Sequence, residues 1–218
     1  MHHTSFNPKK HIFLWDLHEV ILKKDMKHWI MICITFKKKW ELVRSLNKKS
    51  LYIILIFILE RLGIIKKQMV SEELIQEARN SGNNALVELV IQVCSSYTPI
   101  KGTVLIIHEL SQRGYKHHLG SNIGKTVYDS CIRLFPDIFS HFEGYSIPFI
   151  TPENTFIKKP HSYFFVSHSI KYNLPTEDFI FIDDKKINVQ AAQSIGMHAI
   201  HFKNSEQLRE ELIKYNIL

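Results

Sequence analysis

Cysteine is scarce in this chain. Cys33, Cys94 and Cys131 are the three present in 218 residues, odd in number, widely spaced and without a CxxC pair. That argues against a disulfide framework and a cysteine zinc site, and it fits a reducing compartment. Long apolar runs are also missing. Trp29 to Phe36 and Leu51 to Leu59 are unusually apolar, but each falls far short of the ~20 residues that a membrane span needs, and Glu60-Arg61 closes the second. Packing within a helical subdomain is the favoured reading of both, ahead of membrane contact or a homodimer face. The polar stretch Met1 to Lys10 is followed by no apolar segment of signal-peptide length before Asp16, so a cytoplasmic location is expected. No low-complexity tract, internal repeat, helix-turn-helix, zinc finger or aromatic-rich sheet motif stands out, which argues against nucleic acid as the partner.

What is present is globular composition, 45% hydrophobic and 22% charged, enough for one core and a smaller satellite. The net charge of +7 suits an anionic partner. The lysines fall in pairs and triplets such as Lys23-Lys24 and Lys37 to Lys39, for which a solvated surface is the plainer explanation.

His11 to Trp15 is a short apolar run that ends abruptly at Asp16, the pattern of a buried parallel strand delivering a polar side chain at its carboxyl end. In open α/β sheets ligands bind at that end. Helical patterns follow at roughly 26 to 46, 50 to 66, 71 to 80 and 83 to 96, with Ser50 and Ser71 as N-caps. After Pro99 the pattern alternates: helix Gly102 to Arg113, strand Tyr115 to Leu119, helix Gly124 to Phe135, helix Ser162 to Tyr172, strand Phe179 to Ile182, helix Asn188 to Ile195, strand His198 to Phe202. Strands alternating with helices predict a Rossmann-like, doubly wound parallel sheet.

Three strand ends then carry polar residues: Asp16, Ser121-Asn122 and Asp183-Asp184. A carboxylate facing two more is unfavourable without a cation between them, which points to a hard, oxygen-seeking ion such as magnesium. Ser121 and a lysine, with Lys158-Lys159 best placed, could hold and neutralise phosphoryl oxygens, leaving Asp16 to attack phosphorus. Taken singly, plainer readings compete: Asp16 as a helix cap or turn residue, Asp183-Asp184 as a turn and N-cap, Lys158-Lys159 as surface charge. His117 and His118 alternate on a strand, so at most one is expected to face the core, and neither has a partner at metal-ligand spacing.

Four segments in order tip the balance. Trp-Asp-Leu-His-Glu-Val (15 to 20), Leu-Gly-Ser-Asn (119 to 122), Lys-Lys-Pro-His (158 to 161) and Phe-Ile-Asp-Asp-Lys-Lys-Ile-Asn-Val-Gln-Ala-Ala (181 to 192), then Gly-Met-His-Ala-Ile (196 to 200), resemble the motif series of the haloacid dehalogenase-like superfamily. The resemblance implies a core of residues 1–24 and 98–218, with an α-helical cap at 25–97. It implies Asp16 as nucleophile and magnesium ligand, Ser121 with Asn122 at the phosphate, Lys159 as the neutralising cation, and Asp184 as a metal ligand. Asp183 would be a second ligand or an acceptor for metal-bound water, the His18 backbone carbonyl a further ligand, and Asn122 and Asn188 would shape the loops.

The chain departs from the family pattern at His18, where family phosphatases carry a second aspartate that serves as general acid and base. An imidazole can take over, since its unperturbed pKa of ~6.5 lets it donate and accept protons near neutrality. Glu19 is a poorer substitute, because its side chain should point away from its neighbour's. The expectation is a magnesium-dependent phosphohydrolase acting on a small phosphorylated metabolite. The alternatives are a catalytically impaired binding protein of the same fold and a dehalogenase-like hydrolase. Retention of Asp183-Asp184 argues against the latter, which works without metal.

Overall fold

The computed structural model describes residues 6–25, 27–28, 30–32, 71–80, 82 and 84–218. The chain divides into two compact units. The first comprises Met1–Lys24, Thr98–Asn122 and Phe135–Leu218, and the second Asp25–Tyr97 and Ile123–Leu134.

Five strands form the central sheet of the first unit: β1 (Ile12–Trp15), β4 (Lys116–Gly120), β5 (Phe142–Ser146), β8 (Phe179–Asp183) and β9 (His198–His201). Their order is β5-β4-β1-β8-β9 and every pairing is parallel. β1 is central, so its residues Phe13, Leu14 and Trp15 are fully buried, each worth roughly 1.5–3 kcal/mol of transfer free energy. The chain runs outward from β1 to β4 and β5, then returns to the other side of β1 for β8 and β9. That reversal places the carboxyl ends of β4, β1 and β8 side by side, the usual location of a ligand crevice.

Helices cover both faces. Ile12 and Leu14 of β1 and Phe179 and Phe181 of β8 pack with Phe164 and Phe165 of α6 (Ser162–Tyr172) and Ala192 of α7 (Lys186–Gln193). On the opposite face Phe13 stacks with Trp15 and His117 and meets Tyr115 edge-on. Below them lie α3 (Lys101–Gln112), with Ile106, Ile107 and Leu110 buried, and α8 (Ser205–Lys214), with Leu208 and Leu212 buried. This is the Rossmann-like α/β class expected from the alternating pattern. Because both faces are covered, His117 and His118 point to opposite sides and are both buried, at 1% and 3% exposure. The expectation that at most one would face the core is corrected by this double cover.

Several elements were not anticipated. β5, its sequence Phe-Glu-Gly-Tyr-Ser, has no apolar run to announce it. The hairpin β6 (Phe149–Ile150) and β7 (Phe156–Ile157), the short helix α5 (Pro136–Phe139) and α8 were likewise missed, as were the short strands β2 (Leu22–Lys24) and β3 (Tyr97–Pro99). α7 begins at Lys186, ahead of the expected Asn188, because the Asp183 side chain accepts the Lys185 N–H at 2.8 Å and turns the chain at once.

In the second unit α1 (Ser71–Asn80), α2 (Asn84–Cys94) and α4 (Lys125–Leu134) pack together around Ile75, Ala78, Val90, Ile91, Val127 and Cys131. Arg79 donates to Thr126 Oγ1 at 3.2 Å. α4 therefore belongs with α1 and α2 rather than with the core unit to which 98–218 had been assigned whole. Ser71 is the first helical residue, not a cap preceding the helix. The expected helices at 26–46 and 50–66, Ser50 and the apolar stretch Leu51 to Leu59 lie outside the described residues, wholly or for most of their length. No helix among the described residues is long and apolar enough to cross a membrane.

Candidate functional site

Asp16 follows β1 directly, and its N–H extends the ladder by donating to the Ile182 carbonyl at 2.8 Å. Its carboxylate is 5% exposed as a residue. Oδ1 accepts the Leu17 N–H at 2.7 Å and the Lys159 ammonium at 2.9 Å. Oδ2 makes no hydrogen bond among the described residues. One carboxylate oxygen is thus held and the other is left open.

Lys159 reaches the same place from the segment after β7. Its Nζ also contacts Asp183 Oδ2 at 2.6 Å and lies 5.3 Å from the centre of the Phe181 ring. Burial works against the charged amine, but the Asp16 and Asp183 carboxylates outweigh it and raise Lys159 above the ordinary lysine value. Its neighbour Lys158 is half-buried instead, its Nζ over the Phe156 ring. Of the two lysines, Lys159 is the one at the carboxylates.

Asp183, the last residue of β8, is fully buried. Besides Lys159, it accepts from the Asn188 amide at 3.0 and 2.9 Å and from the Lys185 N–H. Burial raises its carboxyl above the usual carboxylate range, the Lys159 ammonium opposes this, and Asp16 adds to it. Asp184 is held differently. Its Oδ1 is buried without a hydrogen-bond partner, and burial, with repulsion from Asp16 and Asp183, pushes its carboxyl up to about 6. Asp16, Asp183 and Asp184 each offer one oxygen within 4.8 Å of the others.

A cluster of three carboxylates with a single lysine has excess negative charge in a buried place. The unpartnered Asp184 oxygen, with the Asp16 carboxylate beside it, would suit a hard divalent ion. The residues present therefore fit magnesium. Asp183 differs in having its oxygens already engaged by Lys159, Asn188 and the Lys185 N–H.

Ser121 lies just beyond β4, with its N–H donating to the Ser146 carbonyl at 3.1 Å. Its hydroxyl is buried and unpartnered, a polar group that a phosphoryl oxygen could satisfy. Asn122 was expected at the phosphate, but its amide grips the Lys159 backbone, donating to the carbonyl and accepting from the N–H, both at 2.9 Å. His18 sits two residues beyond Asp16, half-buried, bridging Leu22. Glu19 is exposed and has φ 59°, in the left-handed region that few non-glycine residues adopt. That backbone is fixed by Leu17, whose carbonyl accepts from both Ile21 and Leu22, and by the Glu19 N–H on Leu22.

Sequence reasoning missed His201, at the end of β9, whose Nε2 lies 3.0 Å from the Asp184 carbonyl. Its place at the end of an apolar strand, the same pattern that marked Asp16, was the available signal.

A model of the family described as haloacid dehalogenase-like hydrolase matches residues 37–202; the match begins after the Asp16 loop. No curated protein matches the sequence. A HAD-family enzyme from Bacteroides thetaiotaomicron is similar in structure, with TM-score 0.59 and 19% identity over 93% of this chain and 98% of that one. Its complex with magnesium and inorganic phosphate gives 0.56 and 19% over 89% and 94%. A HAD-superfamily hydrolase from Ehrlichia chaffeensis gives 0.54 and 14% over 98% and 100%, and an L-2-haloacid dehalogenase 0.52 and 15% over 87% and 82%. At these identities the likeness is one of fold. With the family match spanning most of its length, the chain belongs to the haloacid dehalogenase-like hydrolases.

Proposed function

We propose that this protein is a magnesium-dependent phosphohydrolase that acts on a small phosphate monoester through a phospho-Asp16 intermediate. The observation that carries this reading is the Lys159 ammonium bridging Asp16 and Asp183 while the Asp184 carboxylate beside them stays unpartnered. Asp16, Asp184 and the His18 carbonyl would hold the ion, with Asp183 close by. Bound there, magnesium would polarise the phosphoryl group and offset the charge of the three carboxylates. The Bacteroides thetaiotaomicron enzyme has been solved with magnesium and inorganic phosphate, which supports the same reading here.

In the first step the open Asp16 oxygen attacks phosphorus, the ester P–O bond breaks, and the His18 imidazolium gives its proton to the leaving alkoxide. In the second, water attacks the phosphorus of the aspartyl phosphate, neutral His18 takes its proton, and the bond to Asp16 breaks to release inorganic phosphate. Ser121 Oγ donates to a phosphoryl oxygen and Lys159 neutralises charge as it builds.

Dehalogenase chemistry on Asp16 would leave the unpartnered Asp184 carboxylate without a task. A binding protein without turnover remains the rival of another class. Hydrolysis of p-nitrophenyl phosphate by the purified protein, with magnesium and with EDTA, tests the proposal. Turnover that needs magnesium, vanishes in Asp16→Asn and drops in His18→Ala is the expected result. Silence on that ester and on a panel of natural phosphate esters, with phosphate still bound, would replace the enzyme by the binding protein.

A further inference from the structure

Of the three clustered carboxylates, two are held by their oxygens. Asp16 is fixed by Lys159 and the Leu17 N–H, and Asp183 by Lys159, Asn188 and the Lys185 N–H. The Asp184 carboxylate has no such partner among the described residues, and its two neighbours repel it. Its direction must therefore come from the backbone that carries it.

That backbone is clamped on both sides. Before Asp184, the Asp183 carbonyl accepts the Phe202 N–H at 2.9 Å. After it, the peptide between residues 184 and 185 is held at both ends: the Lys185 N–H donates to Asp183 Oδ1 at 2.8 Å, and the Asp184 carbonyl lies 3.0 Å from His201 Nε2. A carbonyl can only accept, so Nε2 carries the proton in this contact. His201 is held in turn, in register opposite Asp183 and with its own carbonyl accepting from the Gln207 amide at 3.3 Å. Fixing the plane of that peptide fixes ψ of Asp184 and so the direction of its Cα–Cβ bond.

We propose that His201 is a positioning residue that presents the Asp184 carboxylate to the divalent cation by donating Nε2–H to the Asp184 carbonyl. The inference rests on the phosphohydrolase reading only in needing a cation at these carboxylates. A partner that orients a metal ligand characteristically changes affinity by about ten- to a hundredfold when removed.

The test is direct Mn2+ binding to the metal-free full chain, by electron paramagnetic resonance and calorimetry, in wild type, His201→Met and His201→Gln. The glutamine amide can place an N–H near the ε position and methionine cannot. Expected are thermal midpoints without metal close to wild type in both variants, Mn2+ affinity about ten- to a hundredfold weaker in His201→Met, and near wild-type affinity in His201→Gln. Should the methionine variant fail to fold, His201→Asn, polar but too short to reach the carbonyl, takes its place with the same expected loss. Wild-type affinity in the donor-free variant, or equal loss in His201→Gln, overturns the role of His201 while leaving the metal site standing. Absence of Mn2+ binding in wild type overturns both that role and the magnesium-dependent reading.

Discussion

Asn122 and Lys159 hold each other through two reciprocal hydrogen bonds, the Asn122 amide donating to the Lys159 carbonyl and accepting its N–H, each at 2.9 Å. A side chain at the end of β4 thereby imitates a strand partner and fixes the backbone from which the Lys159 ammonium reaches Asp16 and Asp183. The position of the site's buried cation is set from outside the ion pairs themselves.

Asn122→Ala removes both bonds. At ~1 kcal/mol net for each hydrogen bond, a stability loss of about 2 kcal/mol is expected in urea denaturation. Activity should fall further than stability suggests, because displacing a charge-stabilising group by ~1 Å can cost ~10²-fold. Unchanged kcat/KM in a folded Asn122→Ala protein would show that Lys159 needs no such support.

Lys159→Met leaves two buried carboxylates facing each other without a counter-charge. Removing one partner of a buried ion pair costs about 3–5 kcal/mol, so the thermal midpoint should drop steeply in EDTA. Added magnesium should restore more of it in the variant than it adds to wild type, since a cation replaces the missing ammonium. Equal magnesium responses in differential scanning calorimetry would count against a cation among these carboxylates.

Acid should destabilise the protein through its buried histidines. His117 accepts the Trp15 indole N–H at 3.0 Å, and His118 Nδ1 meets His168 Nε2 at 3.0 Å, with His168 Nδ1 against Ser146 Oγ at 2.7 Å. Burial lowers His117 to about 3, His118 to about 4 and His168 to about 2, from 6.5. Above pH 6.5 all three are neutral in both states and stability is unaffected. As pH falls below 6.5 the unfolded chain binds protons that the folded chain refuses, so stability is lost down to the folded values. The limit is ~1.4 kcal/mol per pH unit for each histidine. Urea midpoints should fall between pH 7 and 5, and a flat profile there would contradict the neutral buried state.

Gly144→Ala should destabilise the sheet edge. A Cβ there would come 2.7 Å from the Tyr172 ring and 2.9 Å from His118, and such overpacking typically costs ~1–3 kcal/mol. The same tyrosine hydroxyl accepts the Tyr145 N–H at 2.8 Å, so the ring cannot withdraw freely. A chemical denaturation midpoint equal to wild type would show that β5 shifts at little cost.

The core strands were legible where an apolar run stops at a polar residue, as at Trp15-Asp16 and Ile182-Asp183. β5 was not, because an edge strand is buried less and tolerates Glu143 and Gly144 in its middle. α8 carried a readable start, since Asn204 caps it by accepting the Gln207 N–H at 2.8 Å and Gln207 reaches back to the Lys203 N–H. Only Leu208 and Leu212 mark its buried face.

Strands β1, β4, β8 and β9, helices α3, α4, α6 and α7, and the strand-end positions of Asp16, Ser121 and Asp183-Asp184 follow from the sequence by itself, because hydrophobic periodicity and its interruptions are local properties of the chain. What only the tertiary structure decided is how like neighbours divide their work: Lys159 at the carboxylates and Lys158 on Phe156, Asp183 saturated by donors and Asp184 left open, His117 and His118 buried on opposite faces. Successive side chains along extended backbone point in opposite directions, so chemically identical neighbours meet different surroundings, and those surroundings come from strands distant in sequence.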